Sequence, residues 1–283
     1  MDLSIIIVSW NVKDRLRNCL RSIFANLSNF SAEVYVVDNA SEDGSKEMVT
    51  AEFLQVKMTA NSSNLGFSKA NNQAIRASSG RYVLLLNPDM LVLADTLPEM
   101  IKFMDEHKEA GIAGCHLINE KGETVPHVRH FPGVLDQLAI ILKLPHLFTH
   151  ITDKYLMRDF DYDRPGISYV DSVRGSFFMI RREVINQIGG LDERYFVWFE
   201  EVDYCRQAIK AGWKVAYNPL AKCVDFVGQS FKQKRGLWQQ KQFTKSMLQY
   251  FRKWEPWYKW MWIAAARPIG VIFSRLGDLF MKK

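Results

Sequence analysis

The sequence predicts an open α/β sheet, and three observations lead there. Short β-branched apolar runs recur without polar alternation, as in strands buried on both faces. Stretches with apolar residues at helical spacing lie between them. Polar clusters stand where the apolar runs stop.

Leu3 to Trp10 reads as the first strand, and Asp14 to Leu27 as a helix with Leu16, Cys19, Leu20, Ile23, Phe24 and Leu27 along one face. Val34 to Asp38 is a second strand. Residues 44–54 and 68–78 read as helices, and Tyr82 to Leu86 as a third strand. Strand, helix, strand, helix, helix, strand is the alternation of an open α/β sheet. Residues 134–148 and 150–166 carry no clear period and read as an insertion or mobile segment near the site. Tyr169 to Val173 reads as a strand, followed by a second apolar run after Gly175. Asp203 to Ala211 reads as a helix stopped by Gly212, and Lys214 to Tyr217 as a short strand before Asn218-Pro219.

The 283 residues are 48% hydrophobic and 24% charged, an ordinary globular balance. Cys19, Cys115, Cys205 and Cys223 are far apart and form no Cys-x-x-Cys pair, which argues against a zinc site or a disulfide framework. Asp2 runs straight into Leu3–Val8, unlike a secretory leader. The expectation is a cytoplasmic protein with reduced thiols. The net charge of +6 gathers towards the end, where cations from Lys232 onward face only Glu255 and Asp278.

In open α/β sheets ligands bind beyond the carboxyl ends of the strands. Three polar clusters occupy such ends: Ser9-Trp10-Asn11, Asp38-Asn39 and Asn87-Pro88-Asp89. An acidic run, Glu200-Glu201-Val202-Asp203, follows the aromatic stretch Tyr195-Phe196-Val197-Trp198-Phe199. A base that takes a hydroxyl proton needs such a carboxylate, and the aromatics suit stacking on a sugar face.

Five pieces in order (Ile7 to Asn11, Val36 to Ser45, Asn64 to Asn72, Leu85 to Asp89 and Phe196 to Asp203) resemble glycosyltransferase family 2. These are inverting enzymes with the GT-A fold, and the likeness is greatest to bacterial rhamnosyltransferase-like members, over roughly residues 3–235. The resemblance implies a Rossmann-like mixed sheet flanked by helices and a uridine or thymidine diphosphate sugar donor. Asp38 would hold the base, with Ser9, Asn11 and Asn39 nearby; the plain alternative is an Asx-turn acid. Asn64 and Asn71 would offer amides, and Gly66 would let the backbone pass close to the nucleotide. The alternative for that stretch is a helix start capped by Ser68.

Asn87-Pro88-Asp89 stands where the family has Asp-x-Asp, so Asp89 would ligate Mg²⁺ or Mn²⁺ and Asn87 replaces the first acid. The family pair Glu-Asp is Glu200-Glu201 here. Glu201 would be the base, Glu200 its helper, and Trp198, Phe199 and Asp203 would face the acceptor. Asp225 stands where the family has a His; as a carboxylate it could ligate the metal, or the role could be lost. Lys232, Lys234 and Arg235 would clamp the diphosphate, or form a solvated basic turn.

Residues 1–235 are expected to form the catalytic domain, 1–115 for the donor and 116–235 for the acceptor. Residues 236–283 would form a helical extension rich in Trp, Tyr, Lys and Arg. That mixture suits a membrane interface, with an oligomer contact or a sheet-covering helix as alternatives; nucleic acid is not expected. The expected protein is a glycosyltransferase of cell-surface polysaccharide synthesis, with a homo-oligomeric state and a peripheral place on the inner face of the cytoplasmic membrane as open expectations. Its acceptor would be a saccharide or a polyprenyl-linked saccharide. The rival classes are a sugar nucleotidyltransferase, which would show a Gly-rich phosphate loop after the first strand, and a non-catalytic nucleotide-sugar-binding module.

Overall fold

The structure is a computed structural model. It describes residues 1–27, 29–226 and 236–280, with 276–280 by backbone alone. In chain order the elements are β1 (Leu3–Ser9), α1 (Lys13–Ala25), β2 (Ala32–Asp38), α2 (Ser45–Glu52), β3 (Lys57–Ala60), α3 (Phe67–Ala77), β4 (Tyr82–Leu86), β5 (Met90–Val92), α4 (Thr96–Glu106) and β6 (Ala110–Ile118). Then come α5 (Val134–Ile141), two 3₁₀ turns, β7 (Ser168–Val170), β8 (Phe177–Arg181), α6 (Arg182–Ile188), α7 (Glu200–Lys210), β9 (Lys214–Asp225), α8 (Leu237–Trp254) and α9 (Trp257–Phe280).

The strands form one mixed sheet in the order β3-β2-β1-β4-β8-β6-β9-β5, with β7 on β9. Strands β1 to β4 pair in parallel, whereas β8 runs antiparallel to both β4 and β6. Strand β1 shows why its apolar run is unbroken. Leu3, Ile5 and Ile7 enter the core on one face, and Ile6 enters the core on the other. The sheet has the mixed, helix-flanked form expected of it.

Residues 134–152, without a clear period in sequence, form α5 and the 3₁₀ turns; at Gly270 of α9 an added Cβ would lie 2.7 Å from Ile141 of α5. Strand β9 continues through Asn218-Pro219 to Asp225, where the sequence places a stop. The register of β6 on β9 shifts between Cys115 and His116, and that irregularity takes up the proline. A third apolar cluster joins Tyr195, Phe199 and Val202 to Met247, Tyr250 and Phe251 of α8 and Ile263 of α9. A boundary at 235/236 therefore divides residues that share a core.

Candidate active site

The register β1–β2 sets Ser9 beside Asp38 at the strand ends. One Asp38 oxygen accepts the Ser41 amide at 2.9 Å, the Asx-turn use of this acid. The other, Oδ1, is buried and has no hydrogen-bond partner among the described residues, as is also true of the Ser9 hydroxyl. Such groups are costly unless something fills them. Asn11 accepts the Glu42 amide at 2.7 Å and staples the two loops together.

Asn39 is spent on structure. Its amide donates to the Gly66 carbonyl at 3.1 Å, and its oxygen accepts from Asn61 at 3.0 Å. Asn64 accepts the Gly66 amide at 2.9 Å. Gly66 has φ +83°, and a Cβ there would lie 2.5 Å from the Phe196 carbonyl oxygen. The glycine thus makes room for the 196–199 loop, and the Phe67 amide donates to that same carbonyl. Asn71 is buried; its amide donates to the Phe67 carbonyl, and its Oδ1 has no partner among the described residues. Ser68 makes no cap.

A cleft of about 370 Å³ is lined by Ser9, Trp10, Asn39, Asn64, Gly66 and Asn87, among others. A second cavity of about 240 Å³ holds Glu200, Glu201, Arg129, Arg174, His127 and Trp198. Phe67, Asn87 and Val197 line both, so the two cavities are neighbours.

Glu200 and Glu201 occupy the first turn of α7, which begins at Glu200 rather than at Asp203. The turn into it places Trp198 at φ 67° and Phe199 at φ 70°. Two successive non-glycine residues in that region store strain of about 1–3 kcal/mol each. Glu200 Oε2 and Glu201 Oε2 are both buried and without a partner among the described residues. Burial raises both carboxyls above the usual glutamate range, and the charge of Glu201 lifts Glu200 further. Arg129 and Arg174 pull Glu201 back, so Glu201 is the member that ionises first. His127 is pushed down to about 4, chiefly by burial, and is neutral at physiological pH. Its Nδ1 lies 3.0 Å from the Val125 carbonyl, so Nδ1 carries the proton and the buried Nε2 is an acceptor.

The pairing of β5 with β9 sets Met90 opposite Asp225 and brings Asp89 alongside it. Both carboxylates are buried. Asp225 accepts from the Ser176 hydroxyl at 3.2 Å and lies 3.4 Å from Arg174. No group of three His, Cys, Asp or Glu side chains is gathered for a metal among the described residues. Two carboxylates suit Mg²⁺ or Mn²⁺, which take oxygen ligands and complete their shell with water and substrate phosphates. Neither acid, nor Asp38 or Asn71, contributes to the lining of the two cavities.

Two expected acceptor residues lie elsewhere. Asp203 is fully buried and accepts from Trp254 at 2.7 Å, Lys253 at 2.8 Å and Gln207 at 2.8 Å. Phe199 packs on Phe243 and Tyr250. Phe199 is expected at the acceptor as part of the aromatic stretch and Asp203 as a neighbour of Glu201, but both side chains pack towards α8. Lys232, Lys234 and Arg235 lie outside the described residues.

Arg129, Arg174, His127 and the α8 residues Trp238, Gln242 and Phe243 line the cavities without having been singled out in sequence. Arg174-Gly175-Ser176 between two apolar runs was a legible signal, since a cation and a glycine interrupt strand-like sequence. Arg129 and Trp238 gave none.

A family model described as Glycosyl transferase family 2 matches residues 4–189. The chain is 25% identical over 232 residues to an N-acetylglucosaminyl-diphospho-decaprenol L-rhamnosyltransferase of Mycobacterium tuberculosis, covering 78% of this chain and 74% of the relative. It is 27% identical over 184 residues to the rhamnosyltransferase WbbL of Escherichia coli, covering 61% and 66%. Among solved structures, the mannosyltransferase PcManGT of Pyrobaculum calidifontis, in complex with GDP-Man and Mn²⁺, aligns with TM-score 0.61 at 19% identity, over 97% of this chain and 73% of that one. TarS of S. aureus, in complex with UDP-GlcNAc, aligns with TM-score 0.60 at 16% identity, over 89% and 66%. These likenesses establish the GT-A fold.

Proposed function

The chain belongs to glycosyl transferase family 2, and from that premise we propose that it moves a sugar such as rhamnose from a UDP- or dTDP-sugar to a saccharide or lipid-linked saccharide, with inversion. The carrying observation is the pair of neighbouring cavities, one at the strand ends and one holding two buried glutamates. The nucleotide would lie in the larger, beside Ser9; Asp38, behind the lining, would meet the base or ribose once donor binding uncovers its buried Oδ1. The acceptor would lie in the smaller.

In the proposed step the acceptor oxygen attacks the anomeric carbon as the bond to the nucleoside diphosphate breaks. The hydroxyl proton passes to Glu201. Glu200, the more strongly raised of the two, stays protonated and donates a hydrogen bond within the cavity. Arg129 and Arg174 offset the charge of Glu201. Asp89 and Asp225 would hold a divalent cation, which supplies charge neutralisation for the departing diphosphate. The Mn²⁺ in the mannosyltransferase supports that reading. The decaprenol-linked name of the mycobacterial relative supports a lipid-linked acceptor, and with it a cytoplasmic enzyme working at the inner face of a membrane.

The test combines purified protein, UDP- or dTDP-sugars, Mn²⁺ and a diphospholipid-linked acceptor, and follows nucleoside diphosphate release and the product anomer. Glu201→Gln should lower turnover by about 10²-fold or more with donor binding intact. Near-normal transfer by that variant would remove Glu201 from the role. Chelation should abolish turnover and weaken donor binding, and Asp89→Asn should do the same in the presence of Mn²⁺.

A further inference from the structure

Helix α9 carries an apolar face that no described residue covers. Trp257, Met261, Trp262, Ile269, Ile272 and Phe273 are all exposed, Trp257 by 67% and Trp262 by 58%. At 100° per residue they fall within an arc of about 160°. The opposite arc holds Ile263, Ala266 and Gly270, which are buried. The helix is thus fully partnered on one side and bare on the other.

The bare face continues onto a neighbour. Leu135 of α5 is exposed and shares with Tyr258, Trp262, Lys154 and Lys259 a groove of about 630 Å³. The turns after α5 add exposed Leu147, Phe148 and Ile151. So large a concentration of exposed apolar residues is unusual on a protein that meets only water.

Its composition favours one occupant. Trp and Tyr cluster at the start of the helix, and cations stand among them. Lys154 and Arg275 are exposed, Arg252 is exposed over the Trp260 ring at 4.8 Å, and Lys259 is paired with Glu255 at 2.8 Å. Aromatic rings with Lys and Arg match the headgroup region of a bilayer, where each ring has an apolar body and a polar edge. A protein interface is also rich in aromatic rings and Arg but is depleted in Lys, whereas Lys154 and Lys259 stand in this groove. No helix among the described residues is long and apolar enough to cross a membrane, and a one-sided stripe suits a helix lying in the interface.

We propose that the bare face of α9, together with Leu135 and the turns after α5, docks the protein on an anionic lipid surface. This deepens the reading of a lipid-linked acceptor and rests on it for its purpose. Helix α8, which packs on α9, also lines both site cavities through Trp238 and Phe243. Docking by α9 would therefore hold the site at a set distance from the lipid, where a polyprenyl-linked acceptor presents its sugar.

The full chain should co-sediment with vesicles of phosphatidylcholine and phosphatidylglycerol, and about tenfold less with phosphatidylcholine alone. The double variant Trp262→Glu/Phe273→Glu should lose vesicle binding while keeping its circular dichroism, its donor affinity and its transfer to a water-soluble acceptor. Wild-type protein that stays in the supernatant would overturn the proposal. Equal binding to both vesicle types would overturn its anionic-lipid assignment. A dimer in solution that the same double variant splits, with no vesicle binding by either, would make the face a contact between copies. Vesicle binding without any nucleoside diphosphate release would instead count against the proposed reaction and leave the docking face standing.

Discussion

Glu200 and Glu201 bring two carboxyl groups into one buried cavity, where both cannot ionise cheaply. Burial of Glu201 should therefore set the acid limb of the kcat/KM–pH profile above the ordinary glutamate value of about 4.3, and Glu200→Gln, which replaces a protonated carboxyl by a neutral amide, should leave it nearly in place; a rate that is flat across that range would dissociate the pair from proton transfer. The sign of the stability effect follows. A carboxyl raised on folding contributes stability below its unfolded pKa and loses it as pH rises through the folded pKa. Glu200→Gln should thus raise Tm relative to the parent at about pH 8 but not at about pH 4. Gly66 allows a second prediction. A methyl group meets the Phe196 carbonyl, and φ +83° is strained for alanine. Gly66→Ala should cost about 2 kcal/mol or more in denaturant unfolding and weaken donor binding, because the displaced loop walls the cleft. At this scale the acids were legible from residue type and an aromatic neighbourhood. Arg129 was not, because it lies far from Glu201 in sequence and only the fold closes that gap.

Helices α7 and α8 meet through one buried carboxylate. Asp203 takes hydrogen bonds from Lys253 and Trp254 of α8 and Gln207 of α7. Burial raises its pKa and Lys253 opposes that rise. Asp203→Ala would strand the Trp254 indole N–H and leave Lys253 with Asp192 alone, and should cost about 2 kcal/mol in chemical denaturation. Because α8 lines the site, transfer should fall with it, while Asp203→Asn should lose less. The acidic run predicts a helix start at Asp203, yet the helix begins at Glu200. The reason is that Phe199 enters the left-handed region and packs into the core, a tertiary gain that outweighs its local cost. Asn218-Pro219 likewise signals a strand end locally and is overridden by pairing with β6.

For the molecule as a whole, α8 is part of the enzyme and not an appendage. Removing residues 236–283 would expose Tyr195, Phe199 and Val202 and open both cavities. The truncated chain should be protease-sensitive and aggregation-prone; a soluble 1–235 fragment with parental Tm and donor affinity would restore the boundary expected there. Trp238→Ala, a gentler change at one wall, should raise the donor KM several-fold with little change in Tm. The class of fold, the polar strand ends and the acidic run are local matters, since periodicity, residue type and strand termini are written over a few consecutive positions. The strand pairing that sets Asp89 near Asp225, the enclosure of Glu201 by Arg129 and Arg174, the use of Asp203 as a strut and the bare side of α9 came from packing. They depend on distances between residues far apart in the chain, and a linear pattern carries no measure of those distances until the sheet has set its strand order.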